Sequence, residues 1–200
     1  MGRDSIATAT RADGASNLVS DREIFISVDV EAAGPIPGEY SLLSIGACCV
    51  DNDTQTFACE LQPINDNADP KALEVSGFSL EELRRTGLPP AEAMRRFRDW
   101  LKGLMERNSV LVFVGFNAPF DWSFINYYFH KFLGENPFGF TALDIKAYYM
   151  GYTGCRWSDT RSSRIDAAMR ATQQPDHKAL HDAQYQAELF RLIREKVDRS

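Results

Sequence analysis

Residues 24–31 have the sequence Ile-Phe-Ile-Ser-Val-Asp-Val-Glu, an alternating run that is rich in β-branched side chains and ends in two carboxylates. Successive side chains of a β-strand point to opposite faces, so Asp29 and Glu31 lie on the same side of the predicted strand. Two like charges held side by side repel each other unless a cation lies between them. Hard divalent ions such as Mg²⁺ prefer oxygen ligands of this kind. A strand that ends in a solvated acidic turn explains the stretch equally well, because Asp-x-Glu alone is a short motif.

The composition is that of an ordinary globular chain long enough for one domain. Of its 200 residues, 44% are hydrophobic and 25% are charged. No run approaches the ~18 apolar residues that a membrane-spanning helix needs, so we expect no membrane partner. The net charge of −6 argues against a protein that holds nucleic acid by bulk charge. Two bound divalent ions would reduce this negative charge by four, so the acidity does not exclude a phosphate substrate reached through metal.

The cysteines indicate the redox compartment of the protein, and the N-terminal segment indicates where the folded domain begins. The four cysteines have no Cys-x-x-Cys spacing, and we expect reduced thiols in a cytoplasmic protein; they are Cys48, Cys49, Cys59 and Cys155. Residues 1–20 are rich in Ala, Thr, Ser, Gly and Asp without apolar periodicity, which predicts a disordered tail. The folded domain is therefore expected at residues 21–200.

The order of predicted elements indicates a mixed sheet with helices on it. Three strands with short connections come first, at residues 24–31, 41–50 and 54–61, and are expected to form an antiparallel meander. Residues 110–115 are a continuous apolar run up to the closing glycine, as in a buried parallel strand, and a fifth strand is predicted at 138–145. Helices are predicted at 79–87, from 90 onward, and at 117–132, 164–172 and 178–197. A mixed five-stranded sheet flanked by α-helices is an α/β architecture of the ribonuclease-H-like type.

The helix predicted after the fourth strand is apolar on two faces. We expect Asn117 to cap its start, with Pro119 in the first turn. One stripe consists of Phe120, Phe124 and Tyr128, and the other of Trp122, Ile125, Phe129 and Phe132. Two stripes predict burial on more than one side. The second side is covered either by the core of the same chain or by a second copy in a homodimer.

Acidic and histidine side chains recur at two later element boundaries. Asp121 lies in the first turn of that apolar helix. His177 and Asp182 lie at the start of the last helix, in His-Lys-Ala-Leu-His-Asp. Each signal is weak alone, since an aspartate in the first turn also interacts favourably with the helix dipole.

Together, the three places resemble the DEDD superfamily of 3′–5′ exonucleases, in the DEDDh branch whose third motif is His-x-x-x-x-Asp. Oligoribonuclease, ribonuclease T and the proofreading exonuclease subunit of the bacterial replicative polymerase belong to it. The first motif, Asp-x-Glu followed by glycine, is found at residues 29–34. The second, Asn-x-x-Phe-Asp, is found at 117–121, and the third at 177–183. The resemblance covers residues 24–193, which is nearly all of the chain outside the tail.

The resemblance implies a metal-dependent 3′–5′ exonuclease that hydrolyses phosphodiester bonds from the 3′ end of single-stranded nucleic acid. RNA or short oligonucleotides are expected slightly ahead of DNA. The implied cofactors are two divalent ions, Mg²⁺ or Mn²⁺, which stabilise the attacking and leaving oxygens and are held by Asp29, Glu31, Asp121 and Asp182. His177 is the implied general base. His181 competes with it, because a residue four positions later lies on the same face if the segment is helical.

The substrate contacts are predicted from motif positions and from one loop; they are Ala32, Ala33, Asn117, Phe120, Arg156 and Arg161. Family members often carry Thr or Ser at the position of Ala33 and Glu at that of Ser44, and both regions lie near the terminal nucleotide in the family. Arg156 and Arg161 lie with Trp157 in a loop predicted at 151–163, and such loops often cover an active site. Phe120 either stacks on a base or packs in the core.

Two other functions fit the same sequence. One is a non-catalytic nucleic-acid-binding module that keeps this fold, and the other is a hydrolase of dinucleotides and other small phosphodiesters. Loss of an acidic ligand would favour the first, but all four acidic residues are present.

Overall fold

The computed structural model describes residues 22–199, and its centre is a mixed five-stranded sheet. The strands are β1 (Arg22–Ala32), β2 (Leu42–Cys49), β3 (Asn52–Glu60), β4 (Ser109–Gly115) and β5 (Ala142–Asp144). They lie in the order β3-β2-β1-β4-β5. The first three form the antiparallel meander, while β4 and β5 continue the sheet in parallel on the other side of β1. The predicted mixed sheet and its α/β class are confirmed.

Seven helices surround the sheet in the described part of the chain: α1 (Pro70–Ser76), α2 (Leu80–Thr86), α3 (Pro90–Leu104), α4 (Pro119–Leu133), α5 (Ile145–Thr153), α6 (Ser162–Met169) and α7 (Ala179–Val197). The alternation of β1 decides which side each helix covers. Its even-numbered residues from Ile24 to Val30 are buried in one core with side chains of α3 and α4. Its odd-numbered residues face the side on which α7 packs. Both acidic residues of β1 therefore lie between the sheet and α7.

The two apolar stripes of α4 are both used within the chain. Phe124, Ile125, Tyr128 and Phe129 are buried, and the remaining aromatic side chains of the helix pack against the same core. The Tyr128 hydroxyl accepts a hydrogen bond of 2.8 Å from the Leu42 amide, which ties α4 to the start of β2. Packing inside one chain thus accounts for both stripes. The homodimer stays a prediction, and light scattering is the measurement that decides it.

The start of α4 differs from the prediction. Asn117 adopts φ 67°, in the left-handed region that asparagine tolerates, and the helix begins at Pro119 with Ala118 in the capping position. Asn117 is therefore not the cap. The side chain of Asp144 takes over that function, because its Oδ2 accepts the Ala118 N–H at 2.8 Å. A capping partner at the end of a different strand leaves no local sequence signal.

The fifth strand is shorter than the predicted range of 138–145. The Asn136 side chain accepts the Phe138 N–H at 3.0 Å, and Gly139 follows with φ +75°. These two features make a turn, so only Ala142–Asp144 pairs with β4. The Phe138 ring lies edge-on against Phe113, with 5.3 Å between the ring centroids. Packing in the aromatic core therefore replaces strand pairing at this position.

Other boundaries shift by a few residues. The sequence reasoning missed α1, although Asp69 caps it from the side chain and Pro70 begins it. The predicted loop at 151–163 is shorter, because α5 extends to Thr153 and α6 begins at Ser162 instead of 164. The predicted tail at residues 1–20 lies outside the described residues.

Two further features of the described residues concern the cysteine thiols and the helices. All four cysteines are free, and burial raises the pKa of Cys48 and of Cys59 to about 12, so both stay protonated. None of the helices between residues 22 and 199 combines the length and the apolar character needed to cross a bilayer.

Candidate active site

Asp29 and Glu31 lie near the end of β1, on the α7 side of the sheet. Asp29 pairs with Gly46 of β2 and Glu31 pairs with Ser44. The pairing register shifts between Glu31 and Ala32, so β1 has a bulge immediately after the second carboxylate. Bulges re-aim side chains and end strand pairing, and they are common next to active sites.

Asp121 reaches the same place from α4. β4 ends at Gly115, so it does not extend far enough to pair with the Val30 amide of β1. The Asp121 Oδ1 accepts the hydrogen of this amide instead, at 3.1 Å. Asp144 fixes the start of α4, since its carboxylate also accepts the Ala147 N–H of α5 at 2.8 Å. The two helix starts are thereby held together at the end of β5. Asp121 is buried, with 4% of its surface exposed.

His177 and Asp182 come from the loop before α7 and from its first turn. The Asp182 Oδ1 accepts the Asp176 N–H at 2.9 Å, so the carboxylate also orders the loop. His177 is exposed and adopts φ 61°, which is rare for a residue other than glycine or asparagine. Backbone conformations of this kind cluster at functional sites, where the surrounding structure holds them. The other end of the loop is held by Glu188, which accepts the Thr172 and Gln173 amides at 2.9 Å each.

His181, the competing histidine, has a different partner from the acidic cluster. The segment is not yet helical at His177, because α7 begins at Ala179. The His181 Nδ1 instead lies 2.8 Å from the Asp176 Oδ2. The condition for a same-face relation of the two histidines is therefore not met, and of the two only His177 is grouped with the acidic side chains.

The close group consists of Glu31, His177 and Asp182, whose potential ligand atoms all lie within 4.8 Å of one another. Asp29 and Asp121 adjoin it, because the charges of Asp121, Asp182 and Glu31 all act on Asp29. The structure therefore brings these five predicted residues together, although they come from three separate parts of the chain.

The electrostatics of this cluster favour a bound cation. Burial, and then the Asp182 charge, raise the pKa of Glu31 to about 7, and burial raises the pKa of Asp121 to about 8. Burial and the three neighbouring carboxylates raise the pKa of Asp29 well above its ordinary value. No lysine or arginine among the described residues forms an ion pair with any of the four carboxylates. Carboxylate oxygens that repel one another in this way suit hard divalent ions, so the donor set fits Mg²⁺ or Mn²⁺.

Gln186 is a site residue that the sequence reasoning missed. It is 5% exposed, its Nε2 donates to the Asp29 Oδ1 at 2.6 Å, and its Oε1 accepts the Phe116 N–H at 2.9 Å. Because the amide is held at both ends, it fixes one oxygen of Asp29 and leaves the other for a ligand. Gln186 lies one helical turn after Asp182, and this spacing was the available signal.

Gly46 is the second residue that was missed. An added Cβ there would lie 2.1 Å from the Ala179 carbonyl carbon and 2.2 Å from the Leu180 nitrogen. Only glycine lets the first turn of α7 rest directly on β2, opposite Asp29. The glycine thus sets the distance between the β1 carboxylates and the residues that α7 contributes.

The predicted substrate contacts lie in different surroundings. Ala32 and Ala33 are buried, and both backbone groups of Ala33 are used, by the Ser41 carbonyl and the Asp69 amide. The Phe120 ring is partly buried, 5.3 Å from that of Phe124, which favours its packing role. Asn117, Arg156 and Arg161 are exposed. All six substrate contacts stay predictions.

A groove of about 520 Å³ opens beside His177, over β2 and β3. Phe78 and Leu180 line it together with Ser44, whose buried hydroxyl has no hydrogen-bond partner within residues 22–199. An unpaired buried hydroxyl costs free energy unless a ligand or water pairs with it. The groove thus offers apolar side chains and one hydroxyl that is free to form a hydrogen bond.

Residues 26–190 match the family model described as Exonuclease. The chain belongs to this family. It is also 54% identical over 185 residues to the 3′-5′ DNA exonuclease Cap18 of Escherichia coli, with 90% of this chain and 99% of that protein covered. The resemblance drawn from the three motifs is confirmed, and this exonuclease is an enzyme of the 3′–5′ class.

Solved structures of low sequence identity share the fold of this exonuclease. The nuclease domain of 3′hExo, a DEDDh family member bound to rAMP, has a TM-score of 0.69 at 16% identity, covering 90% of this chain and 94% of that one. E. coli exonuclease I in complex with a dT13 oligonucleotide has a TM-score of 0.66 at 18% identity, covering 89% and 42%. These neighbours confirm the ribonuclease-H-like fold.

Proposed function

We propose that this exonuclease removes nucleotides from the 3′ end of single-stranded nucleic acid, with two divalent ions held by Asp29, Glu31, Asp121 and Asp182 and with His177 as general base. The observation that carries the proposal is the convergence of Glu31, His177 and Asp182 within 4.8 Å, beside the partly buried Asp29 and the buried Asp121. Phosphodiester hydrolysis places negative charge on the attacking and leaving oxygens, and two divalent ions about 3.5–4 Å apart stabilise both.

The side chains of the chain have separate tasks in this proposal. Gln186 holds one oxygen of Asp29, and the Val30 amide holds one oxygen of Asp121, so each carboxylate presents its second oxygen to the centre. The exposed His177 ring lies at the entrance, where it can accept the proton of the attacking water. The Ser44 hydroxyl and the apolar wall of the adjoining groove would hold the terminal base.

Single-stranded DNA is the substrate that the comparisons favour. The sequence alone favoured RNA or short oligonucleotides, but Cap18, a relative at 54% identity, is named a DNA exonuclease. Discrimination at this level depends on where a 2′-hydroxyl would lie, which motifs do not encode. We also propose a cytoplasmic location, in keeping with the four free cysteines.

One assay tests the proposed function. DNA and RNA oligonucleotides of the same sequence, blocked or free at the 3′ end, and a dinucleotide are incubated with Mg²⁺, with Mn²⁺ and with chelator. We expect shortening from the free 3′ end only, faster on DNA, and none in chelator. Cleavage of blocked ends, full activity in chelator, or turnover confined to the dinucleotide would each refute it.

A further inference from the structure

A strip of one cation and two aromatic rings runs outward from the acidic cluster. The Lys146 Nζ lies 5.9 Å from the Phe116 ring centroid and 4.3 Å from that of Trp157. Phe116 directly follows β4, Lys146 lies in the first turn of α5, and Trp157 belongs to the loop between α5 and α6. The basic-aromatic strip of Phe116, Lys146 and Trp157 thus joins three separate elements on one surface.

The strip begins at the catalytic cluster. The Phe116 N–H donates to Gln186, whose amide in turn donates to Asp29. Lys146 follows Asp144 by two residues, and the Asp144 side chain holds the start of the helix that carries Asp121. One end of the strip is therefore linked through hydrogen bonds to Asp29, and it adjoins the aspartate that holds the start of the helix of Asp121.

The other end presents a large aromatic side chain to solvent on an ordered turn. Trp157 is 52% exposed, with the Lys146 ammonium over one ring face. Thr160, which is fully buried, donates its hydroxyl to the Trp157 carbonyl at 2.8 Å and anchors the turn. An indole that is held in place and yet half exposed is available for stacking at little cost in side-chain entropy.

The charges around the strip favour an anionic partner. Lys146, Arg156 and Arg161 form no ion pair with any acidic group among residues 22–199, and Asp159, the acidic residue of the turn, is paired with Arg164. Single-strand binding proteins combine cations that follow the phosphates with aromatic rings on which bases stack. The same two chemistries occur together here, in a chain of net charge −6.

We propose that the basic-aromatic strip holds the single strand on the 5′ side of the scissile phosphate, with a base stacked on Trp157 and a phosphate near Lys146. This proposal rests on the proposed function. An enzyme that removes the 3′-terminal nucleotide has only the 5′ part of its substrate beyond the catalytic centre. A site that leads away from the carboxylates must therefore bind that part. Trp157 lies at the end of the strip away from the carboxylates, so we expect the strip to affect long substrates and not a dinucleotide.

Two variants and two matched controls test the strip. Trp157→Ala removes the stacking surface, and Lys146→Gln removes the charge while keeping most of the stem. The controls are Phe140→Ala, at a 92% exposed aromatic residue before β5, and Arg107→Gln, at an exposed cation before β4. Both controls lie at the opposite ends of their strands from the catalytic cluster.

The measurements are KM for a single-stranded oligonucleotide of about twenty nucleotides and for a dinucleotide, and oligonucleotide affinity by fluorescence anisotropy in chelator. Loss of a stacked base should raise the KM of the long substrate roughly tenfold in Trp157→Ala, while the dinucleotide KM stays within about twofold. Lys146→Gln should reduce the slope of log affinity against log salt by about one. Neither control should change these values.

Two results would overturn the proposal: equal effects on both substrates, or long-substrate values that match those of the controls. Failure of the proposed function looks different. If the wild-type protein hydrolysed neither substrate, the proposed function would be refuted. The affinities measured in chelator would still decide whether the strip binds the strand.

Discussion

Gly46→Ala is the substitution that tests most directly how the site is assembled. The added methyl carbon would lie 2.1 Å from the carbonyl carbon of Ala179 and 2.2 Å from the nitrogen of Leu180, both in the backbone of α7. Neither atom belongs to a flexible side chain that can rotate away. The start of α7 must therefore move off β2, or β2 must bend.

The size of this movement follows from the contact distances. Ordinary contacts of a Cβ begin at 3.4 Å, so the two backbones must separate by roughly 1 Å or more. Overpacking of this kind costs about 1–3 kcal/mol of unfolding free energy. The displaced turn leads from His177 to Asp182, while Asp29 and Glu31 stay on β1. A misplacement of about 1 Å at catalytic groups can cost ~10²-fold in rate.

The assay compares Gly46→Ala with Gly103→Ala, because a Cβ at Gly103 would meet nothing within 4 Å. Urea unfolding in chelator gives the stability of each variant, titration calorimetry with Mn²⁺ gives metal affinity, and an oligonucleotide assay gives the turnover rate. We expect Gly46→Ala to be destabilised, to bind Mn²⁺ more weakly and to lose about 10²-fold in rate. Gly103→Ala should keep its rate and gain roughly 0.5–1 kcal/mol, since glycine is unfavourable inside a helix.

A Gly46→Ala protein with wild-type Mn²⁺ affinity and rate would refute this account. Its α7 would then not need to rest on β2 for the acidic cluster to form. A loss of stability alone, with rate and metal affinity intact in the folded fraction, would refute the link between this contact and catalysis.

Further outcomes follow from the same geometry. His177→Ala should lower turnover by ~10²–10⁴ with little change in melting temperature, whereas the matched His181→Ala should lower it far less; equal losses would contradict the assignment of the base. Chelation should abolish hydrolysis, and added Mn²⁺ or Mg²⁺ should raise the melting temperature of the apoprotein. In chelator, stability should fall as the pH rises from about 4 to about 8. The folded-state pKa values of Glu31 (about 7) and Asp121 (about 8) are raised, so the folded protein retains protons that the unfolded chain releases. Asp121→Asn should flatten this curve while abolishing hydrolysis, and a stability that rises over the same range would contradict the raised pKa values. Gln186→Ala should weaken Mn²⁺ binding by ~10–100-fold, as loss of a group that orients a ligand does; unchanged affinity would show that Asp29 needs no such support.

The sequence carried most of the information about the sheet and the acidic cluster. Alternation in β1 and the apolar run of β4 are local patterns, so the strands could be predicted without knowledge of their partners. The acidic residues and His177 belong to three motifs that are each only a few residues long, and the family resemblance then joined the motifs. Both the strand patterns and the individual motifs depend on residues that are close in the chain.

Tertiary structure decided which contacts hold those motifs together. Gly46 is matched to the backbone of α7, more than 130 residues later, and only the packed structure shows that a methyl group has no room there. Gln186 links Asp29 to Phe116, and Asp144 caps a helix that begins 25 residues before it. A long-range hydrogen bond or a close backbone approach imposes no period on the local sequence. The sequence by itself therefore predicted which groups would carry the chemistry, and the fold decided how far apart they lie and what holds them there.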